Sequence, residues 1–353
     1  WVGGISYSLY LWHWPLLALA TAVDGDTPTS TYRVTAVVGA FLLAWISRRW
    51  VETPTRHGRP GVAPVVGMVV ALAAVGVAGF AISQSDGFPQ RAAQHDARRA
   101  FLKQYRDLHE KGLVQAYRAE CDFYDWRTKA RKPTLPASCT EAGERATYLL
   151  WGDSHAQALS WGLRETLPPG VRLAQVATSA CKPSLGPGME PGLADSCEAS
   201  NRYALATLRR LRPAVVILAQ SDHHEQTDWP AFAATLHAAG ARRVIVVGPV
   251  PQWKPSLPLV VTRYHWDPPQ ARIATGLDPR VVKADRLLKA RLQGAATLTY
   301  VSLLDALCTT EGCLAYVPND PDHTLWAVDY GHLSPPASVY LAREVLAPVL
   351  TQR

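Results

Sequence analysis

Apolar and polar positions divide the chain into two unlike parts. Up to about residue 84 charge is sparse, and three apolar stretches, 5–23, 34–51 and 62–83, are long enough, or nearly so, to cross roughly 30 Å of hydrocarbon. From residue 147 onward short apolar runs alternate with helically spaced segments. Strands are predicted at 147–151 (TYLLW), 171–177, 214–219 (AVVILA), 243–247 (RVIVV) and 298–302, with helices near 156–167, 203–210, 229–239, 280–292 and from 338. That βαβα order implies an α/β fold, a parallel sheet covered by helices on both faces over 146–353. Between the two parts, 85–145 reads as a polar extension. It starts with a helical run at 91–105, whose Arg98, Arg99, Lys103 and Arg106 form a mildly basic face, and continues as an irregular strap at 119–145.

Charge orients the apolar part. The loop 24–32 (DGDTPTSTY) is acidic or neutral, whereas 48–59 carries Arg48, Arg49, Arg56 and Arg59. Positive charge stays on the cytoplasmic side, so three crossings would place 85–353 on the outer face, in the periplasm of an inner-membrane protein. The six cysteines agree. Cys121, Cys139, Cys181, Cys197, Cys308 and Cys313 all lie in the outer part, none with CxxC spacing, and an even count suits disulfides. Six cysteines allow 15 pairings; the sequence-near couples 121/139, 181/197 and 308/313 are expected, because short loops close most easily. The net charge of +7 does not mark a nucleic-acid binder, since the basic residues form no stripe with interleaved aromatics. Trp1 stands inside an apolar run, so the chain is expected to be the C-terminal part of a longer protein.

Two motifs carry chemistry. Leu150-Trp151-Gly152-Asp153-Ser154-His155 ends a predicted strand just before a helix. Gly152 would permit a tight turn and Ser154 would stand near a helix N-terminus, where negative charge is favoured. The plainer reading is a helix cap. Asp329-Tyr330-Gly331-His332-Leu333-Ser334 precedes the last helix. A serine needs a histidine to take its proton, and that imidazole needs a carboxylate to fix its tautomer; Asp-x-x-His can present both. Its plainer reading is a capping Asp and a surface histidine.

Together, the GDS after the first strand and the DxxHxS before the last helix resemble the SGNH/GDSL hydrolase family over 146–353, with catalytic Ser154, Asp329 and His332. The apolar part resembles the acyltransferase-3 family. Gly4-Ile5-Ser6-Tyr7-Ser8-Leu9-Tyr10-Leu11-Trp12-His13-Trp14-Pro15 looks like one of its late membrane segments, and Val51-Glu52-Thr53-Pro54-Thr55-Arg56 like the signature closing its membrane domain, so 1–84 would be that domain's remnant. His13, at membrane depth, faces a cavity or sits in an interfacial aromatic belt. The combination implies O-acetylation of a periplasmic or cell-surface polysaccharide, such as a lipopolysaccharide O-antigen. Acetyl-CoA would be the ultimate donor, delivered through upstream helices, and a polysaccharide or lipid-linked sugar the acceptor.

The family's oxyanion hole uses the nucleophile's N–H, a glycine after the second strand and an asparagine after the third. The expected donors here are Ser154, Ala180 and Ser221, two of which depart from that pattern. Losing one donor costs on the order of 10²–10³ in rate, which fits transfer to a bound sugar better than efficient hydrolysis. A carbohydrate esterase with water as acceptor and a non-catalytic glycan-positioning domain are the alternatives. His223 and His224 lack a supporting ligand cluster, so no metal site is predicted. Trp151, Trp161, Trp229, Trp253, Trp266 and Trp326 are candidate sugar platforms, though such residues more often serve as core or interface. His155 would only flank the nucleophile turn.

Overall fold

A computed structural model describes residues 2–24, 30–54, 62–84, 96–125, 127–185 and 194–351. The acidic loop at 25–29, Arg56 and Arg59, and the extension's start at 85–95 lie outside them. The chain separates into two compact units, Trp1–Ala100 and Phe101–Arg353.

The first unit contains α1 (Val2–Asp24), α2 (Ser30–Ser47) and α3 (Val62–Gln84). Three membrane crossings were expected. Among the described residues, two helical spans, Ser30–Glu52 and Val65–Gln84, are long and apolar enough to cross a membrane. The first helix has the length, but its serines, tyrosines and His13 dilute its apolarity. The predicted loop at 48–59 also begins later than expected, because α2 continues into a π-helical turn, Arg48–Glu52. The two segments that resemble the acyltransferase-3 family pack together. Ser8 donates to the Glu52 carboxylate, Trp12 Nε1 donates to Ser47 Oγ at 2.8 Å, and a Cβ on Gly4 would collide with the Arg48 guanidinium. His13 Nδ1 lies 2.7 Å from the Tyr10 carbonyl of its own helix.

The second unit is built on a five-stranded parallel sheet: β1 (Ala146–Gly152), β2 (Val171–Ala177), β3 (Val215–Ala219), β4 (Val244–Val247) and β5 (Thr299–Val301), in the order β2-β1-β3-β4-β5. Alternation along each strand separates two cores. Leu150, Ile217 and Ile245 enter one; Leu149, Trp151, Val216, Leu218, Val244 and Val246 enter the other. The first core is closed by Ala156, Leu159 and Leu163 of α4 (Ser154–Thr166) and by Ala337, Leu341 and Leu346 from the C-terminal helical run starting with α5 (Pro335–Tyr340). The second is closed by Leu208, Trp229, Phe232, Leu288 and Leu292 from helices Ala194–Leu211, Trp229–Ala238 and Pro279–Leu292. Strand order reverses between β1 and β3, and in open α/β sheets a crevice lies outside the carboxyl ends at that point.

One contact holds α4 and α5 in register. A Cβ on Gly162 would collide with the Ser338 carbonyl, while Ser338 Oγ accepts from Gly162 N at 2.8 Å and donates to Leu159 O at 3.2 Å. The three disulfides, Cys121–Cys139, Cys181–Cys197 and Cys308–Cys313, are the sequence-near pairs. Short strands at Arg272–Ile273, Cys308–Thr309 and Gly312–Leu314 add a small antiparallel sheet that the pattern did not predict.

Candidate active site

β1 ends at Gly152. The expected reason for a glycine was the turn's conformation, but its φ is not positive. A side chain is excluded instead by the neighbouring strand, since a Cβ would collide with the Ala219 carbonyl. Asp153 then caps α4: one carboxylate oxygen accepts from His155 N at 2.8 Å, and the other accepts from Ser221 N at 2.7 Å. Burial pushes this carboxyl up, opposed by those two amides. The plainer reading of the motif, a helix cap, therefore describes Asp153 and leaves Ser154 as the first helical residue, its N–H without an intrahelical acceptor.

Ser154 Oγ lies 2.7 Å from His332 Nε2, and His332 Nδ1 lies 2.7 Å from Asp329 Oδ2. Asp329 Oδ1 accepts from the amides of Gly331 (2.9 Å) and His332 (2.8 Å). Burial works to raise the Asp329 pKa, but the bond from His332, its charge and the two amides hold it well below the usual carboxylate range. Just after this turn Ser334 caps α5, whose Ser338 is clasped to Gly162 of α4. Residues 178 positions apart are thus aligned by two clasped helices, one starting at Ser154 and the other three residues after His332.

Sequence reasoning missed several neighbours. His155, expected only to flank the turn, is buried. Its ring centroid lies 4.6 Å from that of His332, and its Nε2 meets Tyr330 Oη at 3.1 Å. Burial, then the charge of His332, hold its pKa well below the ordinary value, so it stays neutral beside the relay. The extension supplies His109, with Nδ1 3.5 Å from Asp329 Oδ2, and Tyr117, whose hydroxyl donates to Leu333 O at 3.3 Å. His109, Asp329 and His332 form the one cluster of metal-ligand type among the described residues, and its last two members are already each other's partner. Asp122, beside Cys121, is buried under the loop that follows β2. It accepts from Ser179 Oγ at 2.6 Å, from the Ser179 amide, and from Gln157 Nε2 at 3.0 Å. No spacing rule links these residues to the motifs.

The three expected oxyanion donors fare differently. Ser154 N–H is at the helix start. Ala180, expected in place of the family's glycine, has a φ of +55°, one that glycine adopts freely. Ser221 is otherwise engaged: its amide donates to Asp153, and its hydroxyl to Asp222 Oδ1 at 3.4 Å. That hydroxyl would have to rotate away from Asp222 to serve as a donor. Of the six tryptophans considered as platforms, Trp151, Trp229, Trp253 and Trp326 are buried core residues; Trp161 and Trp266 are partly exposed.

A family model described as an SGNH domain fused to AT3 domains matches residues 120–347. The chain belongs to this family. Curated relatives match over a short segment. Peptidoglycan O-acetyltransferase OatA of Listeria monocytogenes serovar 1/2a is 40% identical over 57 residues, 16% of this chain and 9% of that protein. O-acetyltransferase OatA of Staphylococcus aureus is 42% identical over 57 residues, with the same shares. The chain therefore matches only about a tenth of the length of these relatives. Among solved structures, the periplasmic domain of a Salmonella ser. Paratyphi A lipopolysaccharide acetyltransferase is similar in fold, with a TM-score of 0.58 and 23% identity over 74% of this chain and 99% of that one.

Proposed function

We propose that this SGNH domain transfers an acetyl group to a sugar hydroxyl of a periplasmic or cell-surface polysaccharide through an acyl-enzyme on Ser154. The observation that carries the reading is the continuous relay from Ser154 through His332 to Asp329, with both links at 2.7 Å, at the carboxyl end of the sheet. His332 Nε2 takes the Ser154 proton as Oγ attacks the acetyl carbonyl. The N–H groups of Ser154 and Ala180 stabilise the oxyanion, and the donor's leaving group departs with the proton from His332. The acceptor hydroxyl then gives its proton to His332 and attacks the acetyl-serine. Collapse releases the sugar ester and returns the proton to Ser154. Asp329 keeps the proton of the neutral imidazole on Nδ1 and faces the imidazolium as it forms.

The domain's fusion family, its disulfides and the two apolar spans support an inner-membrane protein whose residues 85–353 face the periplasm. Cytoplasmic acetyl-CoA is the ultimate donor in this reading. The test is intact-mass analysis of the full chain after exposure to 4-nitrophenyl acetate. An adduct of one acetyl that disappears in Ser154→Ala supports the reading. A folded wild type that never acylates refutes it.

A further inference from the structure

Beyond the relay, a cavity of about 280 Å³ opens past the carboxyl ends of β3 and β4. Gln252 forms the wall it shares with the relay. Its Nε2 donates to Ser221 O at 2.7 Å, and a Cβ on Gly331, beside His332, would lie 2.8 Å from Gln252 Cγ. Asp222 and Glu225 line the cavity together with the apolar Val281 and Leu287. Leu287 is 41% exposed, an apolar side chain left open to water at the edge of a helix. The loop carrying the carboxylates is fastened from outside: Lys182 Nζ donates to Gln226 Oε1 at 3.1 Å, and Arg291 donates to Glu225 O at 2.6 Å. Buried in the same lining is His224. Its ring is wholly buried and faces the Val247 carbonyl, so it backs the lining without opening into the cavity.

The charges decide the ligand class. Arg280, Lys283 and His223 are the basic residues of the lining, set against Asp222, Glu225 and Asp278, with His223 3.5 Å from Asp222 and 4.0 Å from Glu225. Arg280 is committed to Asp278 at 2.8 Å. No surplus of positive charge remains to select a phosphate or a uronate. Carboxylates accept strongly from hydroxyls, and an apolar floor suits the C–H face of a pyranose.

We propose that this cavity is the acceptor subsite and holds one neutral hexose ring of the polysaccharide, its hydroxyls on Asp222 and Glu225 and its apolar face on Val281 and Leu287. The proposal rests on the transferase reading above. Its test uses the full chain in detergent, 4-nitrophenyl acetate as donor, and the producing cells' own surface polysaccharide stripped of esters by mild base. Ester returned to the polymer is counted against polymer concentration. Leu287→Glu and the pair Asp222→Asn with Glu225→Gln should each raise KM for the polysaccharide by about tenfold or more, the scale of one lost charge-assisted hydrogen bond. The value of kcat at saturating polymer should change far less. Glutamate placed at exposed Val114, outside the cavity, should leave KM unchanged. If wild type acylates on Ser154 yet the cavity variants keep the wild-type KM, or the polymer never accelerates turnover over water, the subsite is refuted while the acyl-enzyme stands. If wild type does not acylate, the underlying function falls first.

Discussion

Replacing Asp329 by asparagine tests the relay with little change of shape. Asp329 Oδ1 accepts two amides, at 2.9 and 2.8 Å, and Oδ2 accepts His332 Nδ1–H at 2.7 Å. An asparagine that keeps its carbonyl toward the amides turns its NH₂ toward Nδ1. The imidazole must then carry its proton on Nε2, which faces Ser154 Oγ where the lone pair is required. A base held in the wrong tautomer loses about 10⁴ in rate, roughly 5.5 kcal/mol. The side chain can escape by flipping, but its NH₂ would then oppose two amide donors. At about 1–3 kcal/mol for each unsatisfied buried group, that costs roughly 2–6 kcal/mol. The escape route therefore still lowers the rate at least about 30-fold. Stopped-flow release of 4-nitrophenolate gives the acylation rate, and circular dichroism checks the fold. A folded Asp329→Asn variant that acylates within tenfold of wild type would refute the tautomer argument.

Gly162→Ala should destabilise the second unit by about 1–3 kcal/mol, as overpacking does, because the new methyl meets the Ser338 backbone; denaturant melts measure this, and an unchanged midpoint would show that the helix pair tolerates separation. Removing the Cys121–Cys139 disulfide by a double serine substitution opens a loop of 18 residues. The cost should be about 3 kcal/mol, read in the same melts under non-reducing conditions. His155 and His224 are fully buried and neutral, the latter with its pKa pushed down by burial to about 3 from an ordinary 6.5. Between those values the unfolded chain binds protons that the folded chain does not, so stability is full at neutral pH and falls as pH drops below about 6.5, by up to ~1.4 kcal/mol per pH unit for each histidine. Asp329, whose pKa is lowered, extends the same loss below about pH 4. Urea melts from pH 7 to 4.5 should show the slope, and His224→Gln should flatten it by about half; an unaltered slope would mean that His224 does not stay neutral in the fold.

What could be read in the sequence follows physical range. The strands were visible because each strand of the parallel sheet is buried on both faces and therefore reads as a short continuous apolar run. The Ser154 and Asp329-x-x-His332 turns were visible because each compresses its chemistry into a few neighbouring residues. Asp122 and Ser179 lie 57 positions apart, and no local pattern marks a capping carboxylate that serves a distant loop. His109 and Tyr117 arrive through an extension whose polar sequence looks like a solvated helix. The strands Arg272–Ile273 and Gly312–Leu314 are too short to show a period. Ser221 was assigned by its position after β3, and position did not reveal that Asp153 and Asp222 already compete for it.

The strap at 119–145 belongs to the site's construction more than its irregular sequence suggests. Ala180 holds a left-handed backbone, which costs a non-glycine residue of order 1 kcal/mol or more and persists only where its surroundings over-determine it. The surroundings come from three directions. Asp122 binds both the amide and the hydroxyl of Ser179, Cys181 is bonded to Cys197 on the following helix, and Phe123 N donates to Thr178 Oγ1 at 3.1 Å. Two of these three fastenings come from the strap, which is itself closed by Cys121–Cys139. The strap thus substitutes for glycine: it imposes on an alanine the conformation that glycine would take without constraint. Opening its disulfide should consequently lower the rate of acyl transfer beyond what the loss of stability explains, and Ala180→Gly should recover part of that rate without restoring the melting midpoint.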